Sequence, residues 1–148
     1  MSTSDKDNQG HDFITDPSIV KLFERRNFAF LATLMKDNGS PEITLTWMHI
    51  WVDIDKNNNT ILVNTVKGLI KQTTVSRHPL VAVSVIDFLN PSHVATVRGK
   101  VIEQINGKEA VDHIDRLAKK HLGKDKYPGL APGEECLLLR IKPLMRSV

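Results

Sequence analysis

The sequence is poor in the residue that builds covalent cross-links and thiolate metal sites. Its 148 residues contain one cysteine, Cys136. A single thiol excludes an internal disulfide and any metal site with several thiolates, and it is typical of a reducing compartment. Because Cys136 also begins an apolar stretch, we interpret it as a buried, unreactive thiol and not as a nucleophile.

Long apolar runs are also missing. No stretch approaches the roughly 20 apolar residues of a membrane-spanning helix. The polar start MSTSDKDNQG lacks the apolar region of a signal peptide. We therefore expect a cytoplasmic protein that does not bind a membrane. Residues 1–12 are predicted to form a flexible N-terminal tail, and residues 13–148 a single domain.

A strong charge of one sign is the third absence. Twenty Lys and Arg residues oppose 17 Asp and Glu residues, which gives a formal net charge of +3. There is no zinc-finger spacing, no RNP aromatic motif and no dense basic block, so we expect no nucleic-acid partner. The six histidines are not joined by a Cys or carboxylate pattern, and we therefore expect no metal site.

Strand signals dominate what is present. Apolar, β-branched and aromatic runs alternate with turn residues, and the predicted strands cover residues 28–35, 42–54, 60–65, 80–87, 93–105 and 136–145. Several of these runs carry apolar residues at both parities, which indicates burial on both faces. A small closed or half-closed barrel fits this pattern better than an open sheet with one buried face.

Helix signals are fewer. Asp16 followed by Pro17 predicts a helix start, and a short helix is expected after the third strand. The clearest helix is 108–122, which Gly123 ends. Its apolar positions near the helical period are Val111, Ile114, Leu117, Ala118 and Leu122. The element order is therefore α-β-β-β-α-β-β-α-β, a mainly β (β+α) fold.

The segment NTVKGLIKQTTVSRHP, residues 64–79, combines hydroxyl, amide and basic side chains directly after an apolar strand. A helix that leaves a strand end offers free N–H groups and a positive dipole end, which favour an anion. Lys67 would lie at its entrance and Lys71 one turn further, while Gly68 would let a ligand approach the main chain. A phosphate cradle is one interpretation, and a solvated helix face is the other.

Five segments, in this order, resemble the flavin-binding split-barrel family of pyridoxamine 5'-phosphate oxidase-like proteins: FLATL with GSPEITLTW, NTVKGLIKQTTVSRHP, NPSHVATVRGKV, DHIDRLAKKHLGKDKYPG and PGEE. The likeness covers about residues 17–146 and is greatest to the deazaflavin/FMN-dependent oxidoreductase branch. It implies a six-stranded antiparallel Greek-key split β-barrel flanked by helices. It also implies a homodimer that shares the deazaflavin coenzyme F-420, or alternatively FMN, between its subunits.

The resemblance further implies twelve cofactor-binding residues. The phosphate would be bound by Lys71, Asn64 and Thr65, with help from Lys67 and Arg77. The isoalloxazine ring would lie along the stretch Thr44, Leu45, Thr46 and Trp47. The partner subunit would supply a loop with Asn90, Pro91 and His93.

Two functions of different classes follow from these expectations. The first is an oxidoreductase that transfers hydride to or from a small organic substrate, with the cofactor supplying the chemistry. The second is a non-catalytic flavin or deazaflavin carrier or sensor. A weaker third is an interaction module in which Lys67 and Lys71 lie on the surface. No residue is identified as a catalytic acid or base. We interpret Trp47 and Trp51 as core or dimer-interface residues in preference to residues that line a substrate site.

Overall fold

The computed structural model describes residues 17–34, 41–45, 51–66, 79–128 and 135–147. These residues form two helices and seven strands, which we number in chain order: α1 (Pro17–Glu24), β1 (Phe28–Leu34), β2 (Pro41–Leu45), β3 (Trp51–Asp55), β4 (Thr60–Val66), β5 (Leu80–Ile86), β6 (Val94–Ile105), α2 (Lys108–Leu122) and β7 (Cys136–Ser147). The predicted tail at residues 1–12 and the predicted helix after the third strand lie outside the described residues.

The strands form one antiparallel sheet with the order β2-β1-β5-β6-β7-β4-β3. The segments β2 and β3 both belong to the predicted strand 42–54, yet they lie at opposite edges of this sheet. Counting them as one strand gives the six strands that the sequence predicts. The mainly β antiparallel fold is therefore confirmed, and its described elements follow the predicted order.

The position of β2 and β3 requires the sheet to curl. Six residue steps join Leu45 to Trp51, and an extended chain of that length spans at most about 20 to 22 Å. A flat sheet of seven strands would separate its two edge strands by about 29 Å, because neighbouring strands lie about 4.8 Å apart. The edges must therefore bend toward each other, and β1 indeed contacts β3 directly. The sheet is a half-barrel.

The inside of the curled sheet holds the larger core. Alternate residues of each strand point inward, as Val81, Val83 and Val85 of β5 show, and α1 closes one end with Ile19 and Phe23. A second core lies between the outer face of β3, β4 and β7 and the helix α2. Strands β4 and β7 are consequently buried on both faces, as their apolar residues at both parities predict.

The buried face of α2 differs from the predicted one. Val111 and Leu122 are 40% and 48% exposed, whereas Ala110 and His113 are buried. The prediction counted apolar residues alone. A histidine can be buried when it has a hydrogen-bond partner, and Asn64 is the partner of His113. The buried face of α2 is therefore rotated toward the polar side of the helix.

The outer edge of β3 is covered by charged side chains. Lys120 Nζ donates to the carbonyl of Val52 at 3.1 Å and to the carbonyl of Phe23, at the end of α1, at 3.2 Å. Asp53 Oδ1 accepts the N–H of Ile54 at 2.8 Å. Burial lowers the pKa of Lys120, and the charges of Asp53 and Glu24 partly oppose this. One lysine thus satisfies two main-chain acceptors and ties α2 to α1 and β3.

Candidate functional site

The predicted phosphate segment is described only at its beginning. Asn64 and Thr65 lie in β4, whereas Lys67, Lys71 and Arg77 lie outside the described residues. Both β4 residues are fully buried. Because neighbouring strand residues point to opposite faces, Thr65 points into the half-barrel and Asn64 toward α2. The side chains of Asn64 and Thr65 therefore do not reach one common phosphate from the same face of the sheet.

Two polar atoms of this strand end have no hydrogen-bond partner among the residues that the structure describes. They are the hydroxyl Oγ1 of Thr65 and the carbonyl Oδ1 of Asn64, both of which are buried. Buried polar atoms are nearly always paired, so these two atoms are candidates for a contact with a ligand, an ion or water. Thr65 lies two residues before Lys67, which makes its hydroxyl the described group best suited to the predicted cradle.

The predicted ring-binding stretch is described in part. Thr44 and Leu45 end strand β2, and Thr46 and Trp47 lie outside the described residues. The register pairs Leu45 with Phe30, and Phe30 in turn with Ser84 of β5. The C-terminal end of β2 and the β5–β6 turn therefore lie toward the same end of the strands.

That turn carries the third predicted group, Asn90, Pro91 and His93, and it has a defined internal structure. Asp87 Oδ1 accepts the N–H groups of Leu89 and Asn90 at 2.9 and 3.3 Å. His93 Nδ1 lies 3.6 Å from Asp87 Oδ2. The hydrogen bond from the Leu89 N–H, followed by the other contacts of this turn, lowers the pKa of Asp87. The turn is built around the Asp87 carboxylate.

The same turn exposes two large apolar side chains. Phe88 and Leu89 are 59% and 85% exposed, although the N–H of Phe88 is held by Asn27 Oδ1 at 2.8 Å. Adjacent apolar side chains on a structured loop are typical of an interaction surface. The helix α2 packs on β3, β4 and β7, away from this turn, and α1 contacts β3 and β5 from the inner core.

The predicted groups lie at two ends of one strand. Val94, beside the Asn90–His93 turn, pairs with Ile86 at the start of β6. Ile105, at the other end of β6, pairs with Leu138, which also pairs with Asn64. Eleven residues of strand separate these ends, or about 36 Å along the strand. The structure therefore brings Thr44 and Leu45 near the turn but does not bring Asn64 and Thr65 near it within one chain.

A polar groove that the sequence did not predict lies beside α2. Its volume is about 510 Å³, and it is bounded by the β3–β4 turn, α2 and β7. Asp53, Arg140 and the helix residues Glu109, His113 and Arg116 line it. The spacing of those helix residues, four and then three, places them on one face of a helix, and this pattern could have identified the stripe from sequence.

His113 connects this groove to strand β4. It is 1% exposed, and the amide nitrogen of Asn64 lies 3.0 Å from its Nδ1. The same nitrogen donates to the carbonyl of Ala110 at 3.0 Å, which only accepts, so the orientation of the amide is defined. Nδ1 of His113 is therefore the acceptor, and in the neutral ring the hydrogen lies on Nε2, which is 3.4 Å from Asp53 Oδ2.

Two aspartates of the groove, Asp53 and Asp55, have a lowered pKa. Burial would raise the pKa of Asp53, but the contacts with His113 and the Ile54 N–H and the charge of Lys120 bring it below its usual value. Hydrogen bonds from Asn58 and Arg140 lower the pKa of Asp55. Arg140 also binds Glu103 at 3.0 Å, so its guanidinium is shared between two acids.

Next to the groove, an aromatic cluster fills the core beneath α2. Trp51 stacks on His121 with ring centroids 4.7 Å apart, and Tyr127 meets the Trp51 ring edge-on at 5.2 Å. Burial and the nearby charge of Lys120 lower the pKa of His121 to about 4. The core interpretation of Trp51 is confirmed, since it is 5% exposed. Burial raises the pKa of the Cys136 thiol in the same cluster, as expected for an unreactive cysteine.

Other kinds of site find no support in the described ranges. Across residues 17–34, 41–45, 51–66, 79–128 and 135–147, no three His, Cys, Asp or Glu side chains are grouped so that they could bind a metal ion. Neither of the helices in those ranges has the length and apolar character needed to cross a membrane.

Comparison with known proteins assigns the chain to a family. Residues 15–143 match the family model of pyridoxamine 5'-phosphate oxidase. Because this match includes nearly all of the half-barrel and both helices, the chain belongs to the pyridoxamine 5'-phosphate oxidase-like family of split-barrel proteins. No curated protein matches the chain significantly in sequence.

Solved structures share the fold. An F420 reductase is 22% identical, with 86% of this chain and 94% of that chain covered and a TM-score of 0.63. An FMN-binding protein from Syntrophomonas wolfei is 12% identical, with 96% and 90% covered and a TM-score of 0.57. General Stress Protein 26 from Bacillus anthracis is 16% identical, with 85% and 86% covered and a TM-score of 0.52. These likenesses show the fold and not the function.

Proposed function

We propose that the protein is an oxidoreductase that binds the deazaflavin coenzyme F-420, or alternatively FMN, between the subunits of a homodimer. Hydride would pass between this cofactor and a small organic substrate. The family match over residues 15–143 carries the proposal. Structures of the same fold that are named as an F420 reductase and as an FMN-binding protein support a flavin-type ligand.

The described residues fit such a ligand at two places. At the end of β4, the hydroxyl of Thr65, which has no partner among the described residues, would donate to the acidic tail, next to the predicted ligands Lys67 and Lys71. At the other end of β6, Asn90 and His93 lie on a preformed turn. The bound cofactor would supply the hydride chemistry, and the protein would orient it and exclude water.

The separation of these two places supports a dimer. They lie at opposite ends of β6, so one ligand that contacts both would need one end from each of two chains. The exposed Phe88 and Leu89 lie on the turn that would meet the second chain. An apolar contact at that point would bury both side chains and hold the turn against the cofactor.

A titration of the purified chain with coenzyme F-420 and with FMN tests the proposal. We expect one of them to bind, and Lys71→Ala to weaken binding by about tenfold or more, because a charge-assisted hydrogen bond contributes about 1.5 to 3 kcal/mol. Lys126→Ala, a change at an exposed position next to Tyr127, is the matched control and should leave the affinity unchanged. Absence of binding of both cofactors at about 50 µM would contradict the proposal.

A turnover assay distinguishes the oxidoreductase from the non-catalytic carrier or sensor. The reduced cofactor, bound to the protein, is mixed with a panel of quinones and enones, and its absorbance is followed. Oxidation faster than that of the free reduced cofactor indicates an oxidoreductase. Tight binding without such an acceleration supports the non-catalytic carrier or sensor.

A further inference from the structure

The groove beside α2 has the features of a second ligand site, separate from the predicted cofactor site. Its volume of about 510 Å³ would hold a small molecule. Among the predicted cofactor residues whose side chains the structure describes, Asn64, Thr65, Asn90, Pro91 and His93 do not line it. Its apolar floor includes Leu62 and Leu138, which are 8% and 2% exposed. Nine of the twelve described lining residues are polar or charged, so the groove favours a ligand that carries charge.

Most charges around the groove are already paired. Lys56 Nζ binds Glu24 at 3.0 Å, and the guanidinium of Arg140 binds Asp55 at 2.9 Å. Among the described lining residues, this leaves three charged groups without a strong ion pair. They are the carboxylates of Asp53 and Glu109 and the guanidinium of Arg116. The groove therefore offers both acceptors and a cationic donor to a ligand.

A buried donor also faces the groove. His113 is 1% exposed, and among the described residues the contact of its Nε2 is a long one, with Asp53 Oδ2 at 3.4 Å. Asn64 fixes Nδ1 as the acceptor, so Nε2 carries a hydrogen that needs a partner. An unpaired buried donor at the wall of a polar groove indicates that a ligand acceptor completes it.

We propose that the groove binds a small zwitterion of the amino-acid class with an apolar side chain. Its ammonium group would bind Asp53 and Glu109, and its carboxylate would bind Arg116 and the Nε2–H of His113. Glu109, His113 and Arg116 lie on successive turns of one face of α2, opposite Asp53. The apolar side chain would lie over the floor formed by Leu62 and Leu138.

Three related ligands test the charge pattern on the full-length protein by isothermal titration calorimetry. L-leucine carries both charges, N-acetyl-L-leucine lacks the ammonium, and L-leucinamide lacks the carboxylate. We expect leucine to bind about tenfold or more tightly than either derivative, because each loses charge-assisted hydrogen bonds. Equal affinity for all three, or no saturation by leucine up to about 10 mM, would overturn the proposal.

Variants of the groove give an independent test with the same leucine titration. Asp53→Asn and Arg116→Gln should each weaken leucine binding by about tenfold or more. Asp112→Asn and Lys119→Gln change exposed charges on the same helix outside the groove, and leucine affinity should stay unchanged. Equal effects of groove and control variants would contradict the site.

The Arg116→Gln variant distinguishes a failure of the groove proposal from a failure of the cofactor proposal and from a loss of folding. Arg116 is exposed, so Arg116→Gln should keep the melting temperature of the parent protein. The same variant should keep its affinity for coenzyme F-420 or FMN, because Arg116 is not one of the predicted cofactor residues. Loss of leucine binding together with loss of stability in Arg116→Gln would assign Arg116 a structural role and overturn its place in the site.

Discussion

At the scale of single residues, His121 makes stability depend on pH. Its pKa is about 4 in the folded protein and 6.5 without a structured environment, because burial disfavours the charged ring. The unfolded chain therefore binds a proton first as the pH falls. Above pH 6.5 the ring is neutral in both the folded and the unfolded state and does not affect stability. As the pH falls from 6.5 to about 4, the free energy of unfolding decreases.

This loss can be measured by urea unfolding at pH 7, 5 and 4. His121→Phe keeps a ring against Trp51 and removes the titration, so its free energy of unfolding should fall less than that of the parent protein over this range. Asp53 acts at lower pH, because its pKa is below 3.8 in the folded state and its contribution is lost only below that value. Parallel pH profiles of the two proteins would contradict the role of His121.

Lys120 gives a second prediction at this scale. Lys120→Met keeps the aliphatic stem but leaves the carbonyls of Phe23 and Val52 without their donor. We expect a loss of about 2 kcal/mol or more in the free energy of unfolding, since an unsatisfied buried acceptor costs about 1 to 3 kcal/mol.

The neighbouring Lys119→Met is the matched control for this measurement. Its side chain is 68% exposed, and its ion pair with Asp125 lies at the surface. Exposed ion pairs contribute little, so the control should change stability by less than about 0.5 kcal/mol in chemical denaturation. If both lysine variants lose the same stability, the two carbonyl hydrogen bonds are not the cause.

At the scale of elements, the contact between β6 and β7 depends on Gly99. A Cβ atom at this position would lie 2.5 Å from Ile141 Cγ2 and 2.7 Å from the carbonyl oxygen of Lys142. The register shifts at this point, between Arg98 and Gly99, so the strands are irregular as well as close. We expect Gly99→Ala to lower the free energy of unfolding by about 1 to 3 kcal/mol.

Thermal and urea unfolding of Gly99→Ala measure this effect. Lys100→Ala is the control on the same strand, because Lys100 is exposed and pairs with Lys142 in a regular part of the ladder. Its effect should stay below about 0.5 kcal/mol. An unchanged melting temperature for Gly99→Ala would show that Ile141 can move aside and that the close approach is not required.

The elements were predictable to different degrees, for physical reasons. The bounds of α2 follow from its period and from Gly123, which has a φ of 70° and ends the helix as predicted. The inward position of His113 was missed, because its partner Asn64 is 49 residues away and a local pattern does not report such a contact. Similarly, nothing local in residues 42–54 indicates that its two halves lie at opposite edges of the sheet.

The candidate sites were also predicted only in part, because their residues meet through contacts that are distant in sequence. The family resemblance named Asn64 and Thr65 together, since they are neighbours in sequence, but the strand places their side chains on opposite faces. The groove was missed because Asp53, His113 and Arg140 come from three elements that only the fold brings together. Glu109 and Arg116 share one face of α2, and their spacing in the sequence could have indicated this.

At the scale of the whole molecule, Leu89 tests the proposed dimer. It is 85% exposed on a turn with its own hydrogen bonds, so a change there should not disturb the fold of the subunit. We expect Leu89→Lys to raise the dimer dissociation constant about tenfold or more, measured by analytical ultracentrifugation, because central apolar contacts dominate interface energies.

Leu122→Lys is the control for that experiment. Leu122 is 48% exposed at the end of α2, remote in sequence from the Phe88–Leu89 turn. Its self-association should match that of the parent protein. A parent protein that sediments as a monomer, or a Leu89→Lys variant that dimerises like the parent, would contradict the assignment of this turn to the interface.

The charged cover on β3 has a consequence for solubility. A strand that ends a sheet offers main-chain groups to any other extended chain, and here the carbonyl of Val52 and the N–H of Ile54 are occupied by Lys120 and Asp53 instead. Replacement of Lys120 by a residue without a donor, as in Lys120→Met, would free the Val52 carbonyl at that edge. Fibril-like strand addition between molecules would then begin at β3, even while the rest of the half-barrel is still folded.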